Sequence, residues 1–221
     1  MLFDLSGADL PPAVAELAAE VRGDLHLAHL TLRELDACAA EDPDRVAAFE
    51  SAFGRMWEIY DRAAHYLGAG ADHLSPAELS YASGPKECSQ SSFESLRNTA
   101  EAAARDAKRT LARLEFITSR GLWIGGWPLC DRTVEAAEMM TDGSGRRALR
   151  LNMRAPLSGS FRVFTAAFAD PPRRILIRID GRMVMEPVVY EATNILELTG
   201  PSEEQLREMQ AAAVAPCHTP P

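Results

Sequence analysis

Apolar residues near the start of the chain repeat every three or four positions, which is the period of one face of an α-helix. The repeat predicts a first helix that begins near Pro11 or Pro12, because proline suits the first helical turn. Leu27 and Leu30 widen the stripe, so we expect this helix to be covered on more than one side. The main stripe consists of Val14, Leu17, Val21, Leu25, Leu32 and Leu35.

A second helix is predicted directly after the sequence AEDPDR. Asp42 is a good N-cap, Pro43 suits the first helical position, and Asp44 complements the helix dipole. Gly68 and Gly70 are expected to end the helix. Because the connection to the first helix is short, the two helices are predicted to form an antiparallel hairpin.

The segment 69–92 is predicted to be a long loop that contains one short helix, Ser75–Tyr81. Connections of this length between helices are unusual and often functional. Ser91 and Glu94 form the pattern of a capping box, which predicts the start of a third helix. Three helices with apolar faces predict a bundle.

The second half of the chain is dominated by strand patterns, after a short helix predicted at Arg132–Met140. Alternating residues predict strands in RALRLNMRA, SFRVFTAAF and NILEL, and Asp180-Gly181 predicts the turn of a β-hairpin. A last helix is predicted to open at Ser202, with Gln205 completing a capping box. These elements predict an antiparallel sheet of three to five strands.

The expected fold class is therefore α+β: an N-terminal three-helix bundle packed on a C-terminal antiparallel β-sheet. The predicted domains are an acidic helical bundle over 1–120 and a strand-rich half over 121–221, packed as one unit. Between them lies GLWIGGWPLC, whose glycines and proline forbid a stable helix. We expect Trp123 and Trp127 to be buried there as a hinge, and the alternative is that they line a ligand pocket.

The charge of the chain is unevenly distributed along its 221 residues. The formal net charge is −9, and residues 1–72 alone contain fourteen acidic side chains against five arginines, which is also −9. An acidic surface repels phosphate backbones and anionic lipid and attracts basic partners. The layout therefore predicts a basic protein partner, and neither nucleic acid nor a membrane. Self-association into a homo-oligomer remains open.

The four cysteines are widely spaced, and no apolar run approaches the length of a membrane span. The N-terminal sequence shows no export signal, so we interpret all four cysteines as reduced thiols in a cytoplasmic protein.

Two groups of residues are candidates for chemistry. His26, His29 and Glu58 are placed by the predicted hairpin where they could form a two-histidine, one-carboxylate metal site. Histidines that are solvated or hydrogen-bonded to their neighbours explain the pattern better, because no metal-binding motif supports the site. Asp72, His73 and Cys88 share the long loop and could support Cys-His nucleophilic catalysis, but no family signature surrounds them. We therefore predict neither a metal nor a catalytic site from these residues.

Other cofactor and ligand signals are weak. No nucleotide-binding motif occurs, so no cofactor is predicted. Five arginines alternate with apolar residues in the predicted strands and are expected to line the outer face of the sheet. They are Arg150, Arg154, Arg162, Arg174 and Arg178.

The sequence thus predicts a non-catalytic protein-interaction module, such as an adaptor, a chaperone-like protein or an immunity-type protein, that presents an acidic helical surface. The residues predicted to matter for binding are Asp42, Asp44, Glu50, Trp123 and Trp127. The alternative is an enzyme or small-molecule sensor with a pocket between loop 69–92 and the Trp123/Trp127 connector.

Overall fold

The structure, a computed structural model, describes residues 10–39, 42–67, 87–170 and 172–218. The predicted helix Ser75–Tyr81 lies outside these residues. Within them the chain divides into two compact units. The first unit contains residues 16–39, 42–64 and 87–113, and the second contains residues 10–15, 65–67, 114–170 and 172–218. The five helices and the antiparallel sheets of the described residues confirm the α+β class.

The first unit is built from α1 (Pro12–Ala39), α2 (Pro43–Leu67) and α3 (Gln90–Ile117). Polar contacts fix the directions of these helices. Near the start of α1, Glu20 accepts a hydrogen bond from Arg113 near the end of α3, so α1 and α3 are antiparallel. Arg45 and Arg55 of α2 bond Gln90 and Glu101 of α3 in the same order, so α2 runs parallel to α3. The predicted antiparallel arrangement of α1 and α2 follows and is confirmed.

The core of the first unit is formed by the predicted apolar faces. Leu25, Leu35 and Met56 have no exposed surface, and Leu32 is 1% exposed. The expectation that α1 is covered on more than one side was wrong. Leu27 and Leu30 are 48% and 45% exposed, because they lie on the face of α1 opposite the buried stripe.

Two helix starts differ in how well the sequence predicted them. The Asp42 carboxylate accepts hydrogen bonds from the backbone of Asp44 and Arg45, at 3.0 and 3.3 Å, so Asp42 caps α2 as predicted. The third helix instead begins earlier than expected. The Ser89 hydroxyl accepts from the backbone of Ser92 at 3.1 Å, so the capping residue precedes the predicted Ser91.

The second unit contains three antiparallel sheets and two further helices, α4 (Ala155–Ala169) and α5 (Glu203–Ala213). Four strands pair in the order β2, β1, β6, β7; three pair in the order β3, β4, β9; and β5 pairs with β8. The strands are β1 (Leu122–Ile124), β2 (Trp127–Leu129), β3 (Val134–Thr141), β4 (Arg147–Met153), β5 (Arg173–Arg174), β6 (Ile177–Ile179), β7 (Arg182–Met185), β8 (Val188–Val189) and β9 (Ile195–Thr199).

Several local predictions in this unit are confirmed. Asp180 and Gly181 connect β6 to β7, both with positive φ. RALRLNMRA contains β4, and NILEL contains all of β9 except Thr199. The capping box of the last helix forms as expected between Ser202 and Gln205.

Two segments were assigned the wrong type of secondary structure: one predicted helix is a strand, and one predicted strand is a helix. The segment Arg132–Met140 was expected to be helical, but from Val134 onward it forms β3, where Glu138 lies opposite Arg150. Pairing with β4 outweighs the helix propensity of its Ala, Glu and Met residues. The segment SFRVFTAAF was expected to be a strand, but it forms α4. Phe161, Phe164 and Phe168 are fully buried at the helical period, which alternation did not reveal.

The tryptophan-containing connector forms the β1–β2 hairpin within the second unit. Gly125 has a φ of +54°, and a Cβ there would lie 2.7 Å from the carbonyl oxygen of Tyr66. The backbone amide of Gly126 donates to that same carbonyl at 2.7 Å. The two glycines are therefore needed because another backbone segment lies against the turn.

All four cysteines are paired, so the prediction of reduced thiols was wrong. Cys38 is bonded to Cys88 in the first unit, with the Cα atoms 5.4 Å apart. Cys130 is bonded to Cys217 in the second unit, with the Cα atoms 5.0 Å apart. Both pairings join residues far apart in sequence, which is why spacing along the chain did not reveal them.

Candidate functional site

The acidic residues of α1 and α2 remain at the surface of the first unit. Among the described residues, no Asp or Glu side chain is buried, whereas the apolar faces of both helices are. The acids therefore give these helices a negative outer side. We call the exposed members the acidic surface; they are Glu16, Glu20, Glu34, Asp42, Asp44, Glu50, Glu58 and Asp61.

On α2 the acidic surface borders aromatic side chains. Glu50, Phe53, Trp57 and Asp61 follow one another at spacings of three or four residues, so they share one face of the helix. Glu50 and Asp61 are exposed, and the two aromatic residues are half-buried. The rings of Phe53 and Trp57 are stacked with their centroids 6.1 Å apart. We call these four residues the α2 stripe.

On α1 the exposed face has a different composition. Two leucines and a glycine stand at its centre, and acids lie at both ends. The residues repeat at alternating spacings of four and three, which places them along one line of the helix. We call this set the α1 outer stripe; it consists of Glu16, Glu20, Gly23, Leu27, Leu30 and Glu34.

Two further carboxyl groups of α1, those of Asp24 and Asp36, are half-buried, and their pKa values are raised. Burial raises the pKa of Asp24 above its ordinary value, and the neighbouring Asp106 and Glu20 carboxylates raise it further. Burial also raises the pKa of Asp36. Burial of both groups, together with the like charges around Asp24, makes their ionised forms unfavourable and opposes folding at neutral pH.

Cations of α3 offset only part of this charge. Arg113 pairs with Glu20 at 2.9 Å, and the two side chains are 60% and 50% exposed. Arg105 and Arg109 pair with acids of α3 itself, Glu101 and Asp106. Exposed pairs of this kind contribute about 0–1 kcal/mol and exchange readily with a partner's charges.

The residues considered for a metal site do not converge. Among the described residues, one group of His, Cys, Asp or Glu ligand atoms lies within 4.8 Å of one another, and it is Cys130, Asp131 and Cys217. His26 and Glu58 are exposed and His29 is half-buried, all outside that group. Both sulfurs of the group belong to the disulfide Cys130–Cys217 and so are not thiolate ligands.

The Cys-His pair that was considered as a weak catalytic candidate is not formed by the described residues. The sulfur of Cys88 is bonded to Cys38 and is therefore not a free nucleophile. Asp72 and His73 lie outside the described residues, as does most of the loop 69–92. The pocket expected between that loop and the connector thus rests on residues the structure does not describe.

The two connector tryptophans are buried in the second unit, with 2% of Trp123 and 1% of Trp127 exposed. Trp127 packs against Phe161 and Phe164 of α4, with ring centroids 5.3 and 5.6 Å away. The indole of Trp123 donates to the carbonyl of Arg120 and lines a cavity of about 320 Å³. Neither side chain presents a surface to a protein partner.

The arginines expected along one sheet face do not share a face. Arg154 precedes α4 and Arg162 lies within it, while Arg150 pairs with Glu197 at 3.2 Å. Arg178 is 4% exposed, stacks on the ring of Tyr66 at 4.5 Å and donates to the Thr118 hydroxyl. Burial lowers the pKa of Arg178 from its ordinary value, while Tyr66 and Glu115 oppose that shift.

In comparisons with known proteins, no family model, no curated protein and no solved structure matches this chain. Within the described residues, none of the helices combines the length and apolar character that a membrane span requires.

The acidic surface could be predicted by counting charges, but the two stripes could not. Leu27 and Leu30 were assigned to the core because a helix with apolar residues on several sides gives no unique buried face. Their exposure became visible only in the structure, where the side of α1 that carries Leu25, Leu32 and Leu35 is the buried one.

Proposed function

We propose that this chain is a non-catalytic interaction protein that binds a basic protein partner through the acidic surface of α1 and α2. The observation that carries the proposal is the separation of the two faces of these helices. Their apolar residues form the core of the first unit, and their carboxylates point outward beside exposed leucines and half-buried aromatic groups. Interfaces commonly combine an apolar or aromatic centre with a charged rim.

The electrostatics of Asp24 support the same proposal. Burial is the main cause of the raised pKa of Asp24, and the nearby carboxylates of Asp106 and Glu20 raise it further. Three carboxyl groups thus lie close together on this side of the first unit. A basic partner that approached this surface would reduce the repulsion between these carboxylates.

The proposed partner is a protein and not nucleic acid or a membrane. Phosphate groups would be repelled by the exposed carboxylates. The homo-oligomer left open by the sequence would bring two negative surfaces together if it formed through these helices.

We also propose that the protein resides in an oxidising compartment and not in the cytoplasm, which the sequence predicted. Two disulfides join distant parts of the chain, and such bonds persist mainly outside the reducing cytosol.

Affinity capture at low salt tests the proposal. The wild-type protein, the variant Glu50→Gln/Asp61→Asn and the control Glu135→Gln/Glu191→Gln are immobilised and exposed to extract from the source organism. The control removes two exposed carboxylates outside the first unit. We expect the wild type and the control to capture one basic protein. We expect Glu50→Gln/Asp61→Asn to capture less of it, and salt to release it from the wild type and the control. Equal capture by all three would reject the proposal.

A small-molecule sensor is the second candidate, favoured by the cavity beside Trp123. Its volume of about 320 Å³ lies at the lower end of ligand-site volumes, and Arg120, Asp180 and His218 provide polar groups around it. Thermal-shift screening of small ligands against wild type and Trp123→Phe would test this candidate. A ligand that stabilises wild type and not the variant would support it.

A further inference from the structure

The α1 outer stripe has the geometry of a helix-docking face. Its residues follow the alternating spacing that keeps side chains along the seam of two packed helices. Leu27 and Leu30, at its centre, are nearly half exposed, and nothing lies within 4 Å of the position a Cβ would take at Gly23. From Glu16 to Glu34 the stripe spans about 27 Å at the rise of an α-helix.

The charges at the ends of the stripe specify its occupant. Glu16 and Glu20 lie before the leucines and Glu34 lies after them. The nearby cations Arg22 and Arg33 each precede a stripe residue by one position, so they point about 100° away around the helix. The apolar centre is therefore bounded by carboxylate side chains at both ends.

A second copy of this chain fits the stripe poorly. Antiparallel pairing of two such stripes about their centres would place Glu16 opposite the other copy's Glu34 at both ends of the seam. Parallel pairing would place each acid opposite itself. Like charges along a helix seam destabilise the pair and select against that partner.

We propose that the α1 outer stripe binds a partner helix with an apolar centre and Lys or Arg at both ends. This inference rests on the proposed function and names the binding element of the basic partner. The apolar side chains of that helix pack over Gly23, Leu27 and Leu30. Its basic ends pair with the carboxylates of Glu16, Glu20 and Glu34, and the existing interactions of Glu20 and Glu34 give way to admit them.

A fluorescent synthetic helix provides the test. The probe is a stapled, alanine-based peptide of about 20 residues, long enough to follow the stripe. It carries two leucines at its centre and arginines at both ends, and a second peptide replaces the arginines by glutamines. Binding to the full-length oxidised protein is measured by fluorescence anisotropy at low and high salt.

The matched variants are Leu27→Ala/Leu30→Ala and the control Val163→Ala/Val214→Ala. Both pairs truncate exposed apolar side chains, and alanine favours helices, so α1 is expected to stay folded. We expect the basic peptide to bind wild type and control equally and the stripe variant roughly tenfold more weakly. Circular dichroism checks that all three proteins have the same fold.

Three results would overturn the inference. The first is equal affinity of the stripe variant and the wild type for the basic peptide. The second is equal binding of the basic and the neutral peptide. The third is self-association of the wild type in sedimentation that Leu27→Ala/Leu30→Ala abolishes, because a second copy would then occupy the stripe.

Rejection of the docking inference would not by itself reject the proposed function. If the captured basic protein is retained by Leu27→Ala/Leu30→Ala but lost by Glu50→Gln/Asp61→Asn, the docking inference is rejected and the interaction function stands. If both variants retain the partner, both are rejected.

Discussion

Cys38 at the end of α1 and Cys88 just before α3 form a disulfide with their Cα atoms 5.4 Å apart. The guanidinium of Arg45 donates to the carbonyl oxygens of both cysteines, at 3.4 and 3.2 Å. One arginine of α2 thus joins the two halves of the bridge, and its guanidinium also lies 5.1 Å from the ring of Phe93. The disulfide and Arg45 thus connect the C-terminal end of α1 with the N-terminal ends of α2 and α3.

The first prediction concerns this disulfide. The bridge joins residues separated by 50 positions. Cys38→Ser/Cys88→Ser is therefore expected to lose about 4 kcal/mol of the free energy of unfolding, mainly because the unfolded chain gains freedom. Urea unfolding of the variant and of the oxidised wild type measures the loss. Thiol titration of the native wild type should find no free thiol, and four reactive thiols would contradict the structure.

The second prediction concerns Asp24. Its folded pKa is raised above the ordinary value of 3.8, so the folded state binds the proton more tightly than the unfolded state. The ionised group therefore destabilises the fold at neutral pH, and the penalty disappears as the pH falls below 3.8. We expect Asp24→Asn to raise the Tm at pH 7 and to match wild type at pH 3.

Asp61→Asn serves as the control for Asp24, because it removes an exposed carboxylate from α2 and leaves the Asp24 cluster unchanged. Its Tm should stay close to that of wild type at both pH values. A Tm of Asp24→Asn below that of wild type at pH 7 would show that Asp24 makes a stabilising interaction instead.

The helices of the first unit were predictable, because their apolar period and the Asp42 cap are local signals. The second unit was harder. Phe161, Val163 and Thr165 fit the alternation of a strand, while Phe161, Phe164 and Phe168 fit a helix. Only the packing of Trp127 against Phe161 and Phe164 decides between the two patterns.

The candidate site was partly predictable for a similar reason. Net charge is a sum over residues, so the acidity of α1 and α2 was visible in the sequence. The exposure of Leu27 depends on which side of α1 faces α3, and the pairing of Cys130 with Cys217 depends on distance in space. Neither property is encoded by spacing along the chain.

The third prediction concerns Trp57. With Trp123 and Trp127 buried, quenchers in solution should reach Trp57 first. Because Glu50 and Asp61 share its face of α2, caesium ions should quench its fluorescence more strongly than iodide. Trp57→Phe should remove the quenchable emission, and Glu50→Gln/Asp61→Asn should remove the preference for caesium. Stronger quenching of wild type by iodide would contradict the negative α2 stripe.

The fourth prediction concerns the turn between β1 and β2. At Gly125 an alanine must adopt a positive φ, which costs about 1–2 kcal/mol, and its Cβ would also collide with the Tyr66 carbonyl. Gly125→Ala is therefore expected to lose more than about 2 kcal/mol of the free energy of unfolding. Gly143→Ala is the control, since nothing lies within 4 Å of its Cβ position. Equal stability of the two variants would refute the close approach.

The acidic surface is tested most directly by site-specific photo-crosslinking in the native host. A photoreactive amino acid is placed at Leu30, at Glu50 or, as a control outside the first unit, at Val214. The account predicts that Leu30 and Glu50 crosslink to the same basic protein, that salt suppresses both adducts, and that Val214 gives none. Adducts of equal yield at all three positions, or adducts that salt does not affect, would contradict it.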